Sequence, residues 1–198
     1  MNIKQVPAHS NNYEKGRRGK TIKWIIMHWI VGTLQSADAT FKNPTRIASA
    51  HFGIGQNEIH QYVNEGDTAY HSGNFDVNLQ SIGLEHEGGP NLPITDNVYK
   101  QSAELVAYLC KKYSIPFDRV HIRKHGEIKP TQCPGTLDID KVIKMAKELN
   151  EPQIDYKSLY EATVKEKNDL WKDKDNLLRV NREIKQTLSD IIKNLKTE

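Results

Sequence analysis

The amino-acid sequence predicts an α/β protein: a central mixed β-sheet flanked by helices, followed by one long C-terminal helix. Three observations carry this reading. The stretch "IKWIIMHWI", Ile22 to Ile30, is a short, nearly continuous apolar run rich in β-branched and aromatic residues, the pattern of a buried central strand. Two later stretches repeat their apolar residues at helical spacing, and strands and helices intermixed in this way imply layers of both. From Glu151 onward there are ten acidic and ten basic residues, no glycine and one proline, which reads as a single exposed helix.

After the first strand, "AHFGIG" and "IHQYV" flank Gln56-Asn57-Glu58 and form a predicted hairpin that ends at the Glu65-Gly66-Asp67 turn. "SIGLEHE", Ser81 to Glu87, is a further strand, broken by "GGPNLP". Between Thr95 and Tyr113, Val98, Leu105, Val106, Leu109 and Cys110 mark one helix face, with Thr95 or Asp96 as N-cap and Pro116 beyond the end. "VHIRKHG" is the next strand, and Leu137 to Leu149 the next amphipathic helix. The composition break at Glu151-Pro152 divides the chain into a domain at 1–150 and a charged tail at 151–198.

The tail carries a heptad. Tyr156, Leu170, Leu177, Ile184 and Ile191 share one register position with Thr163, while Tyr160, Leu188 and Leu195 share another with Lys167, Lys174 and Asn181. An asparagine at such a position sets register in two-stranded coiled coils. Self-association through this helix and packing of a single amphipathic helix on the domain are the two readings.

A chain of 198 residues, 37% of them hydrophobic, builds one ordinary core. The net charge of +3 is mildly basic and lacks the clustered arginine and lysine of a nucleic-acid binder. Two cysteines make no disulfide framework, and Cys110 is expected to pack as a small hydrophobe. The N-terminal stretch lacks the apolar core of a signal peptide, and no segment approaches the ~18 apolar residues of a membrane span. The expectation is a protein made soluble in the cytoplasm, without stable membrane insertion.

The stretch "KHGEIKPTQCPG" holds Cys133 eight residues after His125, and its thiol can be a buried structural group, a catalytic thiolate or a soft metal ligand. His28 ends the buried strand, where side chains emerge at a sheet edge into the crevice that α/β proteins use for ligands. His28, His125 and Cys133 together would supply the donor set of a catalytic zinc site with its fourth position open. Metal-assisted chemistry needs a proton acceptor, and alternation from Ile82 puts Glu85 beside Gly83 on one sheet face.

The segments "IIMHWIVGT", "SAHFGIG", "IHQYVNEGDTAYHSGN", "SIGLEHEGG", "SIPFDRVHIRKHGEI" and "TQCPG" stand in an order and spacing that resemble the zinc-dependent N-acetylmuramoyl-L-alanine amidases, a group that includes phage lysins and the animal peptidoglycan recognition proteins. The resemblance covers about Ile22 to Leu149. It implies Zn2+ held by His28, His125 and Cys133, with Glu85 as catalytic acid/base. In the recognition proteins a serine at the Cys133 position goes with lost zinc and lost hydrolysis, so cysteine implies an enzyme rather than a binding-only receptor. Two positions depart from the pattern: Ala50 stands where many members have tyrosine, and Thr131 where phage lysins carry lysine. Thr131 is the implied hydrogen-bond donor to the developing oxyanion, with Lys129 as the alternative. His71, with Gly73 and Asn74, is expected to line the substrate groove, and His51 to pack within the sheet.

The implied function is hydrolysis of the amide between N-acetylmuramic acid and L-alanine in bacterial peptidoglycan. The implied setting is a phage or prophage endolysin that accumulates in the host cytoplasm and reaches the wall once a holin opens the membrane. A cytosolic wall-recycling amidase and a Cys133–His125 thiol peptidase are the competing enzymatic readings.

Overall fold

The apolar run forms strand β3 (Trp24–Trp29) at the heart of the domain, with Ile25, Ile26 and Met27 fully buried, each stabilising the fold by roughly 1.5–3 kcal/mol. The structure is a computed structural model that describes residues 1–151 and 155–195. It separates into two compact units, Met1–Glu151 and Pro152–Glu198.

Around β3 the first unit builds a six-stranded sheet from β1 (Ile3–Gln5), β4 (Phe52–Ile54), β5 (Ile59–Gln61), β7 (Ser81–His86) and β8 (Ile122–Lys124), in the order β1-β5-β4-β7-β3-β8. β4, β7, β3 and β8 are mutually parallel, β5 runs antiparallel to β4, and β1 runs parallel to β5. The sheet is therefore mixed, and the hairpin stands at Gln56-Asn57-Glu58 as expected. A small antiparallel pair, β2 (Tyr13–Glu14) and β6 (Thr68–Ala69), lies apart from it.

Alternation sorts the sheet into two faces. Ile25, Met27, Phe52, Ile54, Ile59, Ile82 and Leu84 form one core with α3 (Asp96–Tyr113) and α4 (Ile139–Asn150). Thr95 caps α3 by accepting from the Val98 N–H, and Asp138 caps α4 through the Lys141 N–H. Cys110 lies in this core, where burial pushes its thiol up to about 12. The opposite face carries His28, Glu85, Gly83, Gly53 and His60, and only part of it is covered: α1 (Leu34–Lys42) joins Ala37 and Phe41 to Tyr62, Val63 and Ala50 in a second apolar cluster.

The short elements β1, β2, β6, α1 and α2 (Phe75–Leu79) had no periodic signature. α1 buries only Leu34, Ala37 and Phe41, too thin a stripe among polar residues to read as a helix. Trp24 and Trp29 are half-buried. Arg17 is buried and knits the N-terminal segment to the sheet, donating to the carbonyls of Asn78, Leu79, Ser81 and Glu65.

In the second unit, α5 (Tyr156–Leu195) is one continuous helix. Its heptad residues Tyr156, Tyr160, Leu170, Leu177, Ile184 and Leu188 are all exposed, as is Trp171 beside them. The side chains of Ile191 and Leu195, and Pro152 at the composition break, lie outside the described part of the chain. Among the described residues, no helix is long and apolar enough to cross a membrane.

Candidate metal centre

The four parallel strands bring their C-terminal ends to one edge of the sheet, the place where open α/β sheets hold ligands. His28 stands near the end of β3, Glu85 is its register partner on β7, and His125 opens a single helical turn, His125–Glu127, directly after β8. The loop that follows folds back so that the Gly126 N–H donates to the Cys133 carbonyl, which returns the thiol to the same edge. One donor atom each from His28, His125 and Cys133 then lies within 4.8 Å of the others.

Hydrogen bonds decide which ring nitrogens face this point. A carbonyl oxygen can only accept, so the chain of partners can be read outward from it. The Ser81 hydroxyl donates to the Val77 carbonyl at 2.7 Å, leaving its oxygen to accept from His71 Nε2 at 3.1 Å. His71 Nδ1 is then an acceptor and takes the His28 Nε2 proton at 3.1 Å. His28 Nδ1 is left with a bare lone pair, 3.7 Å from Cys133 Sγ. The second histidine repeats the logic: His125 Nε2 donates to the Ser72 carbonyl at 3.1 Å, so its Nδ1 is free as well.

Ser72 is held in turn by Asn78, whose Oδ1 accepts from the Ser72 N–H and hydroxyl at 2.9 and 2.7 Å. Consecutive residues of "AYHSGN" thus orient both histidines, through the His71 ring and the Ser72 carbonyl. Gly83 makes this possible, because a side-chain carbon there would stand 2.5 Å from the His71 ring.

Electrostatics suit a cation at this point. Burial, with His71 and His125 nearby, lowers the pKa of His28, and burial lowers that of His125, so both rings are neutral donors. Burial pushes the Cys133 thiol up to about 12, a group that gives up its proton readily only to a bound cation. Tetrahedral zinc, with bonds of ~2.3 Å to sulfur and ~2.0–2.1 Å to nitrogen, sets a sulfur–nitrogen separation of roughly 3.6 Å. The 3.7 Å between Cys133 Sγ and His28 Nδ1 fits that edge. The same pKa directions oppose the thiol peptidase, which needs a thiolate beside a protonated imidazole.

Glu85 retains some exposed surface, yet its Oε2 is buried and has no hydrogen-bond partner. Burial alone pushes this carboxyl up to about 8. The Thr131 hydroxyl accepts from the Cys133 N–H at 3.3 Å and is exposed beside the thiol, with its own proton still to donate. Gly73 and Asn74 are exposed on the loop past Ser72, and Lys129 lies against Gly73. His51 packs within the sheet, its Nδ1 accepting from the Gly83 N–H at 3.0 Å. Sequence reasoning missed Ser72, Ser81 and Asn78. The "AYHSGN" motif itself was legible, but its role in orienting the histidines was not.

The profile of the N-acetylmuramoyl-L-alanine amidases matches residues 18–136. The chain belongs to this family. Among curated amidases it is similar to N-acetylmuramoyl-L-alanine amidase A of Achromobacter lyticus, 34% identical over 84 residues that cover 41% of this chain and 45% of that protein. The chain therefore spans less than half the length of that relative. Among solved structures it resembles the catalytic domain of XlyA, with TM-score 0.62 and 22% identity over 74% of this chain and 99% of that one. A selenomethionine derivative of AmpD aligns with TM-score 0.61 and 26% identity, covering 73% and 94% of the two chains. All three alignments leave part of this chain unmatched.

Proposed function

We propose that residues 1–150 form a zinc-dependent hydrolase that cuts the amide between the lactyl group of N-acetylmuramic acid and L-alanine in peptidoglycan. The observation that carries the proposal is the convergence of two unprotonated histidine nitrogens and one thiol at a sheet edge beside a buried carboxyl. His28, His125 and Cys133 would hold the metal. Zinc bound there supplies Lewis acidity toward a carbonyl and toward water, whose pKa it lowers from ~15.7 toward ~7. Glu85 takes a proton from the attacking water and delivers it to the departing alanine nitrogen as the carbon–nitrogen bond breaks, leaving a lactyl carboxylic acid and a free amino terminus. Thr131 donates its hydroxyl proton toward the oxyanion, Gly73 and Asn74 border the peptide stem, and His71 keeps His28 in its ligating tautomer.

The wider role in this proposal is a phage or prophage endolysin that acts on the host wall after release from the cytoplasm. Clearing of intact sacculi, rather than action on soluble muropeptides alone, separates that role from wall recycling. Turbidity of purified sacculi is followed with the protein as isolated, after chelator dialysis, after zinc return, and as Cys133→Ser. Expected is zinc-restored clearing that frees N-terminal alanine and is absent in Cys133→Ser. Binding without amine release under every condition would replace the enzyme with a receptor.

The tail at 151–198 enters the proposal as a self-association helix. Its exposed heptad residues support this, and pairing two domains would raise avidity for a repetitive polymer. Sedimentation of the full chain against one ending at Asn150 is expected to show a dimer and a monomer; a monomer in both would remove the coiled coil.

A further inference from the structure

On the partly covered face of the sheet, Glu85 has two glycines as neighbours, each roofed by a ring. Gly83 is covered by His71, already engaged with His28. Gly53, the register partner of Glu85 on β4, is covered by Tyr62: a side-chain carbon at residue 53 would lie 2.6 Å from the Tyr62 hydroxyl. Tyr62 is 3% exposed, and its ring is held edge-on by Phe41 of α1 with centroids 4.9 Å apart. Its hydroxyl and Glu85 Oε2 are two of the three buried side-chain polar atoms without a hydrogen-bond partner among the described residues. A donor and an acceptor orphaned over the same pair of sheet positions are each other's natural complement.

We propose that the Tyr62 hydroxyl is the hydrogen-bond donor that positions the Glu85 carboxyl, an inference that rests on the acid/base role given to Glu85 above. The bond closes when Glu85 turns toward Gly53, which has no side chain of its own and lies under the Tyr62 hydroxyl; catalytic hydrogen bonds are often open in the resting enzyme and tighten with substrate. Burial foremost, then Asp38 by its charge and by a hydrogen bond, and last the charge of Glu85 raise the phenol's pKa, so it keeps its proton to donate. Asp38 is the competing acceptor. Its Oδ1 stands 2.8 Å from His60 Nδ1, and it is partly open to solvent, whereas Glu85 Oε2 has neither relief. Tyr62 is thus a positioning residue that acts through Glu85.

The test compares Tyr62→Phe, Gly53→Ala, Asp38→Asn and Glu85→Gln in the zinc-loaded full chain. Two readouts are used: kcat and KM on a soluble muropeptide, and the infrared carboxyl band of Glu85, assigned by its loss in Glu85→Gln. Expected is a fall in kcat of about 10-fold for Tyr62→Phe with KM nearly unchanged. Gly53→Ala, which displaces the phenol, should lower kcat in the same sense, Asp38→Asn should change it by less than about twofold, and Tyr62→Phe should shift the Glu85 band. An unshifted band with unchanged kcat overturns the proposal, as does an Asp38→Asn effect equal to that of Tyr62→Phe. If Glu85→Gln keeps full activity, the acid/base role of Glu85 falls, and the band alone decides the hydrogen bond.

Discussion

Replacing Glu85 with glutamine should abolish hydrolysis and make the metal-free protein more stable. Burial raises this carboxyl from its ordinary 4.5 to about 8, and its Oε2 meets no partner. The sign follows from proton counting. Between these two values the unfolded chain has lost the proton that the folded chain keeps, so stability falls as pH rises from about 4.5 and levels off above about 8. A rise of about 3.5 in pKa corresponds to roughly 5 kcal/mol at ~1.36 kcal/mol each, an upper bound before relaxation. Glutamine removes this penalty but leaves a buried amide short of partners, which costs about 1–3 kcal/mol. The net gain near pH 8 is on the order of 2–4 kcal/mol, worth several degrees in Tm for a domain of this size. The assay is urea unfolding in chelator between about pH 5 and about pH 8.5, the window set by the two pKa values. The difference between variant and parent should widen across that window. Parallel stability curves would show that Glu85 is not held as an uncompensated buried acid.

His71→Ala is expected to weaken zinc retention by roughly 10–100-fold in chelator competition, because His28 loses the acceptor that fixes its tautomer. His71→Asn should recover much of this, since its Oδ1 can stand near the lost Nδ1; equal affinity in His71→Ala and the parent would dismiss the orienting role. Val31, 59% exposed, holds φ of 56°, a left-handed conformation that a β-branched residue adopts at a cost of roughly 1–2 kcal/mol. Val31→Gly should therefore raise Tm by a few degrees despite the added chain entropy, and a lowered Tm would mean that the side chain makes contacts that outweigh the strain.

What could be read from the sequence follows from where the signal is local. Continuous apolar runs and 3.6-residue periodicity report burial directly, so β3, the Phe52 to Gln61 hairpin, α3 with its Thr95 cap, and α4 were legible, whereas the Asp138 cap of α4 was not. Two-residue alternation likewise put Glu85 on the face opposite Ile82 and Leu84. β1, β2 and α1 carry no comparable pattern, because distant partners rather than their own composition hold them. Arg17 shows the same limit: a lone arginine in a polar segment reads as surface until the carbonyls of Asn78, Leu79 and Ser81 come together around it.

By itself, then, the sequence determined the layers, the face on which Glu85 stands, and the residue types able to hold a metal. Only the tertiary structure decided which nitrogens of His28 and His125 are bare, since that depends on His71 and Ser72, each dozens of positions from the ring it orients. It also decided that Tyr62 and Glu85 share one glycine-floored space. The physical reason is that a tautomer or an orphaned donor is a property of partners across strands, and strand pairing is settled by packing of the whole sheet rather than by any single stretch.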